Sequence, residues 1–345
     1  MTVKPSRLAK PPARSKNTFG AACLSNSVLL HELDNVTPNL SSKLSMRKTS
    51  SGIVRCTIAT VCCAVLFFRH KPAPPPSRHL PTKRGNVVLS FAIGYDRLDF
   101  EKFIIPLRSC FDGDIVLWMD QIEPFMEASK TYRVSLRKYT TRTGRNMIVD
   151  RFLAFKEECN RYDGYCLAAD FRDTFFQANP FLQPFASKIV LSAESSAVKI
   201  GQCPHNSAWV ESCWGSAVLN DLYNSTPICA GTILADAEGF SLLVDKMLSF
   251  SEARGGNCND QGALNVVYYT GALRGSAIVQ PQGAGVVNTV GYLSATYIEQ
   301  HIVNDQLVNH DGHPSPVVHQ YDRLSSLQKL LSRRLKMSRG DEHIG

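Results

Sequence analysis

The stretch "GYCLAADFRDTFFQANPF", residues 164–181, decides how the chain is read. It opens on an apolar run that closes on an acid, Asp170, with Arg172 and Asp173 just beyond. A short apolar run between a glycine and polar residues predicts a buried strand. Before it, "NMIVDRFLAFKEECNRY" (146–162) sets Ile148, Phe152, Phe155 and Cys159 near one face of a helix. The chain therefore reads helix, strand, then two carboxylates and a guanidinium at the strand's end.

Working outward, the alternation recurs. "NVVLSFAIG" (86–94), "DIVLWMD" (114–120) and "TYRVSLRKY" (131–139) read as strands, and "DFEKFIIPLRSCF" (99–111) has apolar residues at helical spacing. Strands alternating with helices predict an α/β domain with a mostly parallel sheet and helices on both faces. In such sheets ligands bind outside the carboxyl ends of the strands, where Asp170 and Asp173 lie. The chain has no GxxxxGK and no GxGxxG, and its glycine cluster "ARGGNCNDQG" follows no strand, so dinucleotide binding has little support.

Two carboxylates at a strand end can hold a hard divalent cation, Mn²⁺ or Mg²⁺, through oxygen ligands. Such a cation bridges phosphate oxygens and stabilises a departing diphosphate as a Lewis acid. The rival is a strand-end turn with an Asp–Arg surface pair.

The region before this domain differs in composition. Residues 1–84 are rich in Lys and Arg and contain only two acids, Glu32 and Asp34, in a chain of net charge +8. The remainder is close to neutral, with no basic stripe interleaved with aromatics, which argues for a targeting head and against nucleic-acid binding. "IVRCTIATVCCAVLFF" (53–68) is a long apolar run carrying Arg55 near one end. It reads as a short membrane span with a snorkelling Arg; a buried helix and an organelle leader are the alternatives. The Pro-rich "KPAPPPSRHLPTKR" follows as a stiff stalk. The expected order is a disordered basic cytoplasmic tail (1–51), a signal-anchor helix (52–69), a stalk (70–84), a catalytic domain (85–335) and a disordered tail (336–345). The basic residues before the span favour a cytoplasmic N-terminus and a lumenal body. In a lumen some of the seven body cysteines would pair; Cys203–Cys213 is one plausible bridge. Asn224-Ser225-Thr226 is a glycosylation acceptor sequence weakened by Pro227.

"LAADFRDTFFQANPF" resembles the metal-binding signature of nucleotide-sugar-dependent glycosyltransferases of the GT-A fold, which implies a Rossmann-like, mixed but mostly parallel sheet flanked by helices. Those enzymes place Asp-x-Asp at a strand end before an aromatic run and a proline. The spacing here departs, because Asp170 and Asp173 form DxxD. Aligned on Pro180, Asp173 resembles the family's metal-holding acid and Asp170 the preceding one, which touches ribose or reaches the metal. "CNDQGALN" (258–265) resembles the segment beside the family's acceptor site, with Asp260 as acceptor contact or general base, or merely as an N-cap. "SPVVHQYDR" (315–323) resembles the strand that returns a His to the metal; His319 is that candidate. "SFAIGYD" (90–96) corresponds to the base pocket, with Ala92, Gly94 and Tyr95. "RTGRNMIVDRF" (142–152) offers Arg145 or Arg151 to the diphosphate or base, or as solvated charges. "CAGTILAD" (229–236) resembles the small-residue strand, where Gly231 lets the sugar approach the backbone. Trp209 or Trp214 can stack on a sugar ring or pack in the core.

The resemblance implies a type II membrane glycosyltransferase of the Golgi or ER, using Mn²⁺ or Mg²⁺. It would move a sugar from a nucleotide-sugar donor to a glycan or glycoprotein acceptor. Asp260 is the candidate base, with Glu194 and Asp236 not excluded. The rivals are a non-catalytic sugar-binding protein on the same fold and a metal-dependent phosphohydrolase.

Overall fold

The computed structural model describes residues 85–140, 147–254 and 258–339. The expected tail, membrane span and stalk lie outside these residues, as does Arg145. Among the described residues no helix is long and apolar enough to cross a membrane.

The domain opens with β1 (Val87–Ala92), α1 (Arg97–Cys110), β2 (Asp114–Met119), α2 (Met126–Thr131) and β3 (Val134–Lys138), then α3 (Met147–Cys159), β4 (Tyr165–Ala169) and β5 (Thr174–Phe176). Next come β6 (Ile189–Ala193), α4 (Pro204–Leu222), β7 (Ile228–Asp236), α5 (Ala237–Glu252), α6 (Asp260–Tyr269) and β8 (Ala277–Gln280). The chain closes with β9 (Val287–Thr289), α7 (Ala295–Gln300), the hairpin β10 (Ile302–Val303) and β11 (Gln306–Leu307), β12 (Val317–His319) and α8 (Ser325–Arg339), which runs past the expected domain end at 335.

The central sheet has the order β3-β2-β1-β4-β7-β6-β8. All its strands are parallel except β7, which is antiparallel to both β4 and β6. The α/β expectation of a mixed, mostly parallel sheet is therefore met. The inner strands β1, β2, β4, β6 and β7 are mostly apolar and buried because both faces are covered, whereas the edge strand β3 carries Ser135, Arg137 and Lys138. Val87 and Leu89 turn to one core with Phe152 and Phe155 of α3, while Val88 turns to the other with Phe100, Phe103 and Ile104 of α1. Alternation along one strand thus feeds two layers of helices. The Asp96 side chain caps α1 by accepting from the Asp99 amide at 2.9 Å.

A second sheet, β5-β12-β9, stands beside the first. Its register pairs His319 with Thr174 on one side and Thr289 on the other. The Gln320 amide donates to the Asp173 carbonyl at 2.7 Å, continuing that pairing past the strand end. This small sheet carries His319 back to the carboxylates. Leu327, Leu330 and Leu331 of α8 seal it against Val318 and Ile105.

The disulfides differ from the expected bridge. Cys159 pairs with Cys166 and Cys213 with Cys258. Cys203 is the N-cap residue of α4 and Cys213 lies within the helix, so they stand roughly 15 Å apart at about 1.5 Å per residue, beyond disulfide reach. Cys203 instead bonds the Tyr292 hydroxyl at 2.9 Å. Cys110, Cys203 and Cys229 are free among the described cysteines. Cys213–Cys258 ties α4 to the segment entering α6 across 45 residues. Replacing both of its cysteines with serine should lower stability by about 2–4 kcal/mol. Urea denaturation of the variant under non-reducing conditions measures this, and an unchanged midpoint would show that the bridge carries no stability.

Candidate metal centre

Asp170 follows β4, and its amide donates to the Gly231 carbonyl at 2.7 Å. Because β7 runs against its neighbours, its beginning lies at the carboxyl edge of the sheet, with Thr232 opposite Ala169. Asp173 precedes β5 and is buried. The one extra residue of DxxD over DxD is accounted for by the turn between the two acids. Phe171 points into the core, stacked on Phe103 at 4.8 Å, and Arg172 points outward, 61% exposed and 3.4 Å from Asp322. Both carboxylates therefore face the same side despite the irregular spacing. Arg172 does not occupy the place between them.

That side is where His319 arrives. Its Nε2 lies 3.5 Å from Asp173 Oδ1 and 3.7 Å from Asp170 Oδ2, is buried, and has no hydrogen-bond partner. Its Nδ1 is 3.4 Å from the Cys229 sulfur. One ligand atom from each of Asp170, Asp173 and His319 lies within 4.8 Å of the other two. A cation bonded at about 2.1–2.2 Å spans donors up to about 4.3 Å apart, so both imidazole–carboxylate gaps fit one ion. The buried Nε2 faces two acceptors, a contact that only a proton or a cation makes favourable. Burial lowers the tendency of His319 to protonate, but Cys229, Asp173 and Asp170 outweigh it and raise its pKa well above the usual value. Proton and cation compete for the same gap.

Arg151 of α3 organises the other half. Its Nη1 donates to Asp170 Oδ1 at 2.7 Å and its Nη2 to Asp260 Oδ2. Burial pushes the Asp170 carboxyl up, yet Arg151 and His319 overrule it and hold its pKa at about 2. Arg151 thus braces two carboxylates from within the protein and is no solvated helix-end charge. Asp260 is the first residue of α6, but Asn259 caps the helix, accepting from the Gln261 amide at 2.9 Å. The other oxygen of Asp260 accepts from that amide at 2.9 Å as well. Both oxygens of the expected base are engaged.

The motif "DQGALN" has a further role that its spacing did not reveal. Gln261 Oε1 accepts from the Ala230 amide at 2.7 Å, and Asn265 bonds the amide and carbonyl of Ile228 at 2.9 and 3.0 Å. These amides satisfy the start of β7, where its pairing with β6 shifts register between Leu191 and Ser192. Gly231 lines the larger cavity, and its missing side chain also serves the carboxylates and the imidazole. A Cβ there would lie 2.5 Å from Asp170 Oδ2 and 2.5 Å from His319 Cε1, so its bareness makes room for the triad.

Two cavities flank the carboxylates, and Arg151, Asp170 and Asp173 line both. The smaller, about 260 Å³, is walled by Phe91, Ile93 and Tyr95 at the end of β1. Tyr95 is where the base pocket was expected; Ala92 instead faces the core, and Gly94 is exposed with its amide on Asp120 Oδ1 at 3.1 Å. The larger, about 430 Å³, adds Glu194, Trp209, Tyr292 and Arg323. Trp214 belongs to the core. Asp236 caps α5, accepting from the Gly239 amide at 2.7 Å, and pairs with Tyr165 at the opposite end of β4, which removes it as a base. Glu194 is 4% exposed, and burial raises its carboxyl pKa. Its signal in the sequence is the apolar run "KIVLSAE" closing on an acid, as "GYCLAAD" does.

No family model matches the chain, and no curated protein matches it in sequence.

Gly231→Ala should push the imidazole and Asp170 apart, with overpacking costing about 1–3 kcal/mol. Mn²⁺ titration followed by electron paramagnetic resonance should show weakened binding, and wild-type affinity would refute the crowding argument. Arg151→Met should leave two facing carboxylates uncompensated and cost roughly 3 kcal/mol or more. Chemical denaturation reads this directly; a loss well under 1 kcal/mol would mean that Arg151 is dispensable.

Proposed function

We propose that the chain is a metal-dependent glycosyltransferase of the GT-A type, transferring a sugar from a nucleotide-sugar to a glycan or glycoprotein acceptor. The observation that carries this reading is the Asp170–Asp173–His319 triad seated between two cavities at one sheet edge. A transfer in which an acceptor hydroxyl bonds the sugar carbon as the diphosphate leaves it needs that arrangement: a cavity on each side of a cation site.

In this reading Asp170, Asp173 and His319 hold Mn²⁺ or Mg²⁺, and the mixed oxygen and nitrogen donors favour Mn²⁺. The bound cation supplies Lewis-acid stabilisation of the charge that develops on the leaving diphosphate. Arg151 keeps Asp170 ionised and oriented. Arg172, exposed at the rim of the smaller cavity, is the protein cation free to turn from Asp322 toward the phosphates. Tyr95 and Phe91 offer that cavity aromatic faces for a base. Glu194 is the carboxylate left to take a proton from an acceptor hydroxyl, since Asp260 is tied to Arg151.

The two disulfides favour an oxidising compartment, as a lumenal body behind an N-terminal anchor in the Golgi or ER requires. That anchor is the apolar run at residues 53–68. A phosphohydrolase is less favoured, because no carboxylate at the end of β1 faces the triad: Asp96 there caps α1. A sugar-binding protein with a decayed site is less favoured because both carboxylates of the DxxD remain aimed at His319.

The deciding experiment screens nucleotide-sugars and nucleoside diphosphates for binding with and without Mn²⁺, using the wild type and Asp173→Ala. The wild type should bind one class in a Mn²⁺-dependent way. The variant should lose about tenfold or more in affinity while its thermal unfolding stays near that of the wild type. Equal binding by a folded variant would exclude Asp173 from the site.

A further inference from the structure

We infer that the larger cavity is a subsite for a sugar ring, in which Glu194 accepts hydrogen bonds from ring hydroxyls while Trp209 and His205 cover the ring's apolar face. This deepens the transferase reading by naming the ligand class at one of its two cavities, and it rests on that reading for the ring's role.

The first observation is an unanswered acceptor. Glu194 follows β6 directly, is 4% exposed, and lines the cavity. Its Oε2 has no hydrogen-bond partner, and its Oε1 is 3.4 Å from Gln261 Nε2. A buried carboxylate oxygen without a donor is a standing cost of order 1–3 kcal/mol, which a ligand bringing hydroxyl donors relieves. The ionised diphosphate of a nucleotide-sugar has no hydroxyl on phosphorus, so it brings only acceptors and would add repulsion. A polyol brings what is missing.

The second observation is independent and concerns the lining of the same cavity. His205 and Trp209, one turn apart on α4, stack at 5.8 Å with 29° between their planes, and both line the cavity. A pyranose presents hydroxyls around its rim and C–H groups on one face, so an aromatic plane together with a hydrogen-bonding wall matches both. That wall is already fixed. Gln261 is held by the Ala230 amide at 2.7 Å, and Asn206 by Gln261 and by the Cys203 sulfur at 3.3 Å. Little side-chain freedom remains to be lost on binding. The volume, about 430 Å³, falls within the usual range of ligand pockets, about 300–1,000 Å³.

The ring could belong to the acceptor or to the transferred sugar, and the test separates them. Saturation-transfer NMR on the full chain uses a panel of methyl pyranosides (gluco, galacto, manno and N-acetylglucosamine forms) with wild type, Glu194→Gln and Trp209→Ala. At least one glycoside should bind the wild type, and each variant should weaken it about tenfold or more. Trp209→Phe, which keeps a ring, should restore part of the loss; this distinguishes stacking from general damage to α4. Mn²⁺ affinity of Glu194→Gln should stay at the wild-type value. Enhanced glycoside binding in the presence of Mn²⁺ and a nucleoside diphosphate assigns the ring to the acceptor. Competition by the intact nucleotide-sugar, but not by the diphosphate, assigns it to the donor. Absence of binding by every glycoside, or equal binding by folded variants, overturns the inference. If nucleoside diphosphates still bind with Mn²⁺, only the subsite fails. If glycosides bind and no nucleoside diphosphate does, the transferase reading fails and the subsite stands.

Discussion

The guanidinium of Arg151 lies between Asp170 and Asp260, and the site depends on that placement. Four carboxylates converge at this edge of the sheet: Asp170, Asp173, Glu194 and Asp260. Like charges brought together out of water are tolerated only with compensation. Arg151 compensates two of them and in doing so joins α3, the end of β4 and the start of α6. Asp173 gains no such partner. Its counterpart is the imidazole of His319, whose Nε2 stands apart at 3.5 Å with room for an ion between. The protein supplies one cation and leaves space for another.

Backbone direction makes this convergence possible. In a wholly parallel sheet the residues at the carboxyl edge come from strand ends alone. Reversing β7 brings its beginning there, and with it Gly231, whose lack of a side chain admits Asp170 and His319. The reversal leaves the first residues of β7 short of strand partners, and Gln261 and Asn265 supply them. The small sheet β5-β12-β9 then carries His319 across from the far end of the sequence. In the proposed transfer the same features separate donor and acceptor sides, because the triad lies where the two cavities meet.

The parts of this arrangement legible in the sequence were those written as local patterns. Apolar runs gave the strands, and the acid closing "GYCLAAD" marked the edge of the sheet. His319 is legible through the resemblance of "SPVVHQYDR" to a strand that returns a His to a metal, and it closes a short apolar run of its own. What escaped depended on three-dimensional neighbours. Asp260 looked available because the sequence does not show Arg151 arriving from 109 residues away. Cys203–Cys213 looked plausible until the intervening residues proved helical. Ala92 and Gly94 share a strand end with Tyr95, but alternation sends Ala92 into the core. The DxxD spacing looked like a defect because the burial of Phe171, which absorbs the irregularity, involves Phe103 on another element.

The most direct test is where a divalent cation sits. Crystals grown with Mn²⁺ and measured for its anomalous scattering should show one strong peak bonded to His319 Nε2 and to one oxygen each of Asp170 and Asp173. The Arg151–Asp170 contact should be retained. A peak elsewhere, or none at a Mn²⁺ concentration well above that of the protein, with His319 hydrogen-bonded directly to a carboxylate, would contradict the account.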